Sequence, residues 1–177
     1  MAITLTDYTE GCERENGGVE EIVVLDKCNR GAYTIAAGAI TALVTANGTK
    51  AYTWSPDIES AKFDDNGTGN RANNSYFKTH TGIIIFKDDE DVTAKLDEEA
   101  GRGKLIFFVK YARPAGETAK WKVFGFLNGM TVTTSEASTG QMFEDLRGHT
   151  LNVEGKETTR ALTITDVIVQ SILIPAS

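Results

Sequence analysis

The stretch that decides the fold is KLIFFVKYARPAGETAKWKVFGFLNGM, residues 104–130. Two apolar runs flank residues 113–116, where a proline and a glycine favour a tight reversal of the chain. This pattern predicts an antiparallel β-hairpin. Because side chains alternate along a strand, one set is predicted to share a face of the hairpin: Leu105, Phe107, Val109 and Tyr111 on the first arm, and Trp121, Val123, Gly125 and Leu127 on the second.

The opposite face of this hairpin is only partly polar. A half-buried hairpin normally alternates apolar and polar residues, so the second apolar set requires another packed layer or a partner subunit. We expect the lysine-rich tip of the hairpin to reach solvent or an acidic neighbour, and the root to be sandwiched. The tip carries Lys110, Lys120 and Lys122, and the root carries the hairpin interface candidates Ile106, Phe108, Phe124 and Phe126.

Length and composition predict one globular domain over residues 1–177. The chain is 41% hydrophobic and 24% charged, which suffices for a sizeable core. Its 17 glycines, with many Asn, Asp and Thr residues but only 3 prolines, are typical of turn-rich β proteins. The predicted fold class is mainly β, a β-barrel or β-sandwich of antiparallel strands with one short flanking α-helix.

Local patterns place the other elements. Residues 1–18 read as a polar N-terminal arm, and residues 91–100, after the acidic cluster 88–91, are the best helix candidate. Residues 32–46 are ambiguous, although their composition favours strand with a kink or bulge at Gly38. Residues 140–146 suggest one helical turn. Further strands are predicted at about 21–27, 49–54, 58–63, 76–86, 131–134, 150–154 and 162–174, the last with a break at Thr165-Asp166.

The polar segment 64–75 is predicted to be a long hairpin loop. Hairpin loops usually have 2–5 residues, and loops of about a dozen tend to be functional or disordered. A faint likeness to a calcium loop ends at Ser75, which stands where the bidentate glutamate belongs, so a solvated loop is favoured. Its assembly candidates are Asp64, Asp65, Asn66, Arg71, Asn73 and Asn74.

No motif nominates catalytic, cofactor-binding or metal-binding residues, so we do not expect an enzyme. His80 and His149 have no neighbouring ligand at metal-site spacing, and Cys12 has no local partner for nucleophilic chemistry. Reduced thiols are expected for Cys12 and Cys28, and a disulfide between them is the alternative. A divalent cation at the acidic segments and a glycosidase-like carboxylate pair also stay open.

Charge and hydropathy limit the partners. A formal net charge of −7 argues against a surface that grips phosphates, although transient contact with DNA stays open. No window approaches the length of a membrane-spanning helix, so no membrane partner is expected. Because Met1 opens directly onto a strand-like run, we expect no signal peptide and synthesis in the cytoplasm.

The order of these features resembles phage tail tube proteins, the major tail proteins. The most specific portion is GFLNGMTV at 125–132 followed by FEDLRGHTLNVEGKE at 143–157. In similar proteins, a strand leads through a short structured loop to a strand that ends in a Gly-Lys-Glu-like turn. The resemblance implies a β-barrel or sandwich with a flanking helix, assembled as hexameric rings that stack into a tube in the virion tail. It also implies that residues 64–75 reach an adjacent ring or subunit and that the N-terminal arm contacts the next ring.

The resemblance implies particular partners as well. They are further copies of this chain, other tail or neck proteins, and DNA in passage through the tube. Six copies at −7 each carry −42 per ring, and an acidic lumen would repel passing DNA. Alternatives are a tail terminator, completion or decoration protein, or a small-molecule or carbohydrate-binding β-barrel whose aromatic residues line a pocket.

Overall fold

The computed structural model describes residues 18–54, 56, 60–70, 72–73, 75–87, 103–112, 116, 118–138 and 148–174. This part of the chain is mainly β, with eleven strands, one 3₁₀ turn at Lys27–Asn29 and one α-helix. The strands are β1 (Val19–Asp26), β2 (Arg30–Ala36), β3 (Ala39–Thr45), β4 (Tyr52–Trp54), β5 (Ala61–Asn70), β6 (Ser75–Lys87), β7 (Leu105–Tyr111), β8 (Trp121–Phe124), β9 (Thr131–Ser138), β10 (Gly148–Glu157) and β11 (Leu162–Ile164), and the helix is α1 (Asp166–Ile172).

These strands form two sheets packed as a sandwich. The first has seven strands in the order β2-β3-β11-β8-β7-β1-β4, and the second has four in the order β5-β6-β10-β9. Within the described chain both sheets are open, with β2 and β4 as the edges of one and β5 and β9 as the edges of the other. The pairing is antiparallel except between β3 and β11. The predicted mainly β class is therefore confirmed, in its sandwich form.

Strand β7 is buried on both faces by its own chain. Leu105, Phe107 and Val109 are at most 1% exposed and face the four-stranded sheet, where they meet Ile84, Leu151 and Val153. The other face carries Ile106 and Phe108, each 0% exposed. It packs against Ile40, Leu43, Trp121, Val123, Phe126, Val169 and Ile172. The two-faced hairpin predicted cover by another packed layer or by a partner subunit, and the structure shows a layer within the chain.

The prediction that Leu105 and Trp121 lie on the same face of the hairpin is wrong. Phe108 pairs with Val123 and Lys110 pairs with Trp121, which places Trp121 and Val123 on the Ile106 face and not on the Leu105 face. Alternation fixes register only where one face is polar, and here both faces are apolar. The second arm is also shorter than predicted, because Gly125, at φ 68°, follows the last strand residue.

The predicted loop 64–75 is mostly strand. β5 continues to Asn70 and β6 begins at Ser75, and these two residues are paired. Asp64 pairs with Thr81, so the ladder runs through the whole predicted loop apart from the turn itself. Glycine, asparagine and aspartate have low β propensity, but the partner strand overrides that preference.

The ambiguous segment 32–46 forms the β2–β3 hairpin. Its turn consists of Ala37 and Gly38, both with positive φ (49° and 79°), as a two-residue primed turn requires. Gly38 therefore marks a turn and not a kink within one strand.

The break predicted at Thr165-Asp166 is confirmed, but the strand predicted beyond it is wrong. Residues 166–172 form helix α1, which buries Val169 and Ile172 and leaves Val167 79% exposed. The buried residues Val169 and Ile172 are three positions apart, as on one face of a helix, although the segment is rich in β-branched residues. The predicted helix 91–100, the turn 140–146 and residues 1–17 of the predicted arm lie outside the described residues.

Candidate assembly surface

The four-stranded sheet has one face turned away from the core, which we call the outer face. Two rows of paired residues cross it: Lys62, Ile83, Asn152 and Thr134 in one row, and Asp64, Thr81, Glu154 and Thr131 in the next. Ile83 is 46% exposed, whereas its neighbour Ile84 is fully buried on the other face. Polar contacts organise the surface, since Lys62 pairs with Asp64 at 2.9 Å and the Asn152 amide donates to the Thr134 hydroxyl at 2.5 Å.

The outer face carries both signs of charge. Its described charged residues are two cations and three anions, namely Lys62, Lys156, Asp64, Glu136 and Glu154, a balance of −1. This face therefore does not concentrate the net charge of −7 that the whole chain carries.

Both edges of this sheet are open in the described chain. Every residue of β9 except the half-buried Val132 is exposed, and the strand contains no proline. An edge strand presents unpaired N–H and C=O groups and is a template for pairing with another chain unless it is blocked. Among the described strands, β5 and β9 therefore each have one side without a neighbouring strand.

The far half of the β5–β6 hairpin extends as an exposed arm. Residues 66–70 are exposed, and Tyr76 is 60% exposed. The Tyr76 ring lies over Gly67, where a side chain would collide with it, and the Lys78 ammonium sits 3.4 Å from the ring centroid. That ammonium also lowers the pKa of the Tyr76 phenol through a hydrogen bond. The aromatic ring thus packs across an arm that is otherwise rich in glycine.

The residues predicted for an assembly loop have different environments. Asn66 and Asn73 are exposed, and the Asn73 carboxamide oxygen accepts from the Ser75 N–H at 3.2 Å. Asp64 lies on the outer face. Arg71 and Asn74 lie outside the described residues. Asp65 is a correction, because it points into the sandwich and its side chain is only 16% exposed.

The hairpin interface candidates are also corrected. Ile106, Phe108, Phe124 and Phe126 are 0–2% exposed within a single chain, so they have almost no surface left to bury against a partner. Their apolar character is explained by the two cores on either side of β7.

The predicted gradient along the hairpin is confirmed. Lys120 and Lys122 are exposed, and the half-buried Lys110 pairs with Glu20 at 3.0 Å and with Glu21 at 3.6 Å. The acidic neighbour expected at the tip is therefore strand β1 of the same chain.

Residues 125–129, which we call the junction loop, are held by three ionisable side chains. His80 on β6 accepts from the Gly125 N–H through Nδ1 at 3.0 Å. Glu157 at the end of β10 accepts from the Asn128 N–H at 2.8 Å, and the Arg30 guanidinium donates to the Phe126 carbonyl. Sequence reasoning missed all three roles. The available signal was a pair of glycines bracketing the apolar residues of this loop.

Burial perturbs two of these groups. Desolvation lowers the pKa of His80, although Asp65 and the Thr159 backbone act in the opposite direction. Desolvation raises the pKa of Glu157, opposed by hydrogen bonds from the backbone of Asn128, Gly129 and Leu127 and by the charge of Lys27. Glu157 is only 2% exposed, so its carboxylate depends on this loop for hydrogen bonds.

Other features bear on alternative functions. Among the described residues, no group of three or more His, Cys, Asp and Glu side chains could hold a metal ion, and no helix is long and apolar enough to cross a membrane. An open groove of about 490 Å³ is lined by residues without aromatic rings: Lys104, Asn128, Gly129, Thr131, Thr133, Glu154, Gly155 and Lys156. His149 is buried, Cys28 is exposed and Cys12 lies outside the described residues.

Comparison of the chain with protein-family models, with curated proteins and with solved structures finds no match. The outer face and the open edges of the four-stranded sheet are therefore interpreted from their own geometry.

Proposed function

We propose that this protein is a virion structural subunit that self-assembles into hexameric rings, which stack into a phage tail tube. The observation that carries the proposal is the four-stranded sheet, which among the described residues is covered on one face and open on the other face and at both edges. A sheet of this kind is completed when β9 of one copy pairs with β5 of the next, because the unpaired backbone groups then find partners.

The dimensions suit a conduit. Six sheets of four strands make a barrel of 24 strands (6 × 4). With strands about 4.8 Å apart and tilted by about 40°, such a barrel is roughly 50 Å across at the backbone. Its lumen would be lined by the outer face, whose threonines and mixed charges offer no basic track for phosphates, so DNA would pass without being held. The exposed arm of the β5–β6 hairpin would reach the neighbouring ring or subunit.

The edge contact is tested by Thr134→Lys on β9, with Thr34→Lys on β2 as a matched control. Both threonines are exposed on edge strands, and both substitutions add one positive charge. Lysine on an edge blocks strand addition. We expect sedimentation and negative-stain images to show rings or tubes for the unchanged protein and for Thr34→Lys, and mainly monomer for Thr134→Lys.

The arm is tested separately by removing residues 68–70 and 75–77. In the shortened chain, residues 71–74 connect Gly67 to Lys78. Gly67 and Lys78 are already paired, so the shortened hairpin keeps its register and the half-buried Asp65 stays in place. We expect a folded chain, judged by thermal unfolding, that no longer stacks into tubes. A monomer at every concentration of the unchanged protein, or tubes that survive both variants, would contradict the proposal. Rings that never stack would favour a tail terminator.

A further inference from the structure

His80 lies where a backbone donor faces one ring nitrogen and the Asp65 carboxylate lies near the other. It is 1% exposed and is paired across the sheet with Asp65 on β5 and with Gly155 on β10. Its Nδ1 atom accepts from the Gly125 N–H at 3.0 Å, and its Nε2 atom is 3.6 Å from Asp65 Oδ1. This arrangement fits the neutral imidazole with its proton on Nε2.

A second proton on the ring would oppose this arrangement. Protonation places a hydrogen on Nδ1, so two donors, the ring and the Gly125 N–H, would then face each other. The Phe124 ring also packs here in a T-shaped contact, with its centroid 5.5 Å from that of the imidazole. The hydrogen bond to Gly125 is therefore available only while His80 is neutral.

The charged groups around His80 come from several elements. Asp65 on β5 attracts a protonated ring, but it also accepts from the Ala161 N–H at 3.0 Å and lies 3.8 Å from the Arg160 guanidinium. Lys78 lies on the same strand. Glu157 on β10 binds the same junction loop with Lys27 nearby, so the loop is held by acceptors at both ends.

We propose that His80 is a proton-sensitive latch, which fastens the junction loop to the four-stranded sheet when neutral and releases it when protonated. The junction loop follows β8 directly, so release loosens the connection between the two sheets of the sandwich. The inference concerns the single chain and does not depend on assembly.

The direction of the pH effect follows from linkage. Burial lowers the pKa of His80 in the closed state, so the open state takes up a proton first as the pH falls below the usual value of about 6.5. The latch is therefore fully stabilising above that pH and weakens progressively toward the lower pKa of the closed state. Glu157 acts in the opposite direction, because its raised pKa favours proton uptake by the closed state as the pH falls. Release in mild acid is thus assigned to His80.

The latch is tested by NMR on the full chain between pH 7.5 and 5.0. We expect ring nitrogen shifts at pH 7.5 that report a proton on Nε2 only. We also expect the amide-exchange protection of Gly125, corrected for intrinsic rates, to fall by up to about 30-fold at pH 5.0. Amides of β7 should change less.

Two variants assign the effect. In His80→Asn, the side-chain oxygen can replace Nδ1 as acceptor but does not titrate, so Gly125 protection should become independent of pH over this range. The other histidine provides the control, and His149→Asn should lose protection as the unchanged protein does. The unchanged protein decides the question even if a variant fails to fold: a proton on Nδ1 at pH 7.5, or constant protection while the ring is protonated, would overturn the proposal.

Discussion

The two sheets differ in how completely the chain covers its own strands. On β7 in the seven-stranded sheet, the neighbouring residues Phe107 and Phe108 point to opposite faces and both are 0% exposed. On β6 in the four-stranded sheet, Ile84 is 0% exposed but its neighbour Ile83 is 46% exposed. At these strands the first sheet is covered on both faces within one chain, whereas the second has one face exposed among the described residues. The proposed assembly surface therefore lies on the second sheet and not on the apolar hairpin.

The largest expected effects come from substitutions on β7, which test whether both of its faces are packed cores. Phe107→Ala and Phe108→Ala remove rings from two separate cores, and each should lower the free energy of unfolding by about 3–5 kcal/mol. Urea unfolding followed by tryptophan fluorescence measures both. Phe108→Leu is the milder control, because it leaves most of the volume in place. If either alanine variant lost less than about 1 kcal/mol, the corresponding face of β7 would not be a packed core.

A matching pair of substitutions on β6 tests whether only one face of the four-stranded sheet is covered. Ile84→Ala should cost about 2–5 kcal/mol, while Ile83→Ala should change the free energy of unfolding by no more than about 0.5 kcal/mol. The same urea experiment measures both variants at a concentration where the chain is monomeric. Equal losses would mean that the chain covers its own outer face, and the contrast between the sheets would disappear.

The sequence predicted the burial of β7 but not its register. Apolar residues at consecutive positions such as Ile106 and Phe107 require cover on both faces, whatever provides it. The pairing partner is a different matter, because a shift by one residue still places apolar side chains on both faces. The sequence also left open whether another layer of the same chain or another subunit covers the Ile106 face of β7. Helix α1 contributes to that cover, but its composition is typical of a strand.

The exposed arm shows a limit of composition. Gly67 and Gly69 read as loop residues, yet both lie in the β5 ladder opposite Lys78 and Tyr76. Their conformation is set by the partner strand and by the Tyr76 ring over Gly67, which are contacts that a propensity cannot include.

The junction loop could not be assembled from the sequence for a related reason. Arg30, His80 and Glu157 are far apart in the chain, and none belongs to a recognisable motif. They converge because β2, β6 and β10 converge. The local clue was in the loop itself: Gly125 and Gly129 both have positive φ (68° and 80°), and their backbone N–H groups need partners when buried.

The smallest expected loss of stability concerns helix α1, which covers the Ile106 face of the seven-stranded sheet. The Trp121 indole N–H donates to Asp166 Oδ1 at 2.8 Å, which ties α1 to the sheet, and Trp121 is only 2% exposed. Asp166→Ala leaves that donor buried without a partner and should cost about 1–3 kcal/mol. Asp166→Asn keeps an acceptor oxygen and should cost clearly less. Thermal unfolding of the two variants separates the hydrogen bond from the mere presence of a side chain. Equal losses in both would show that the charge of Asp166 in the first turn of α1, rather than the bond to Trp121, stabilises the helix on this face.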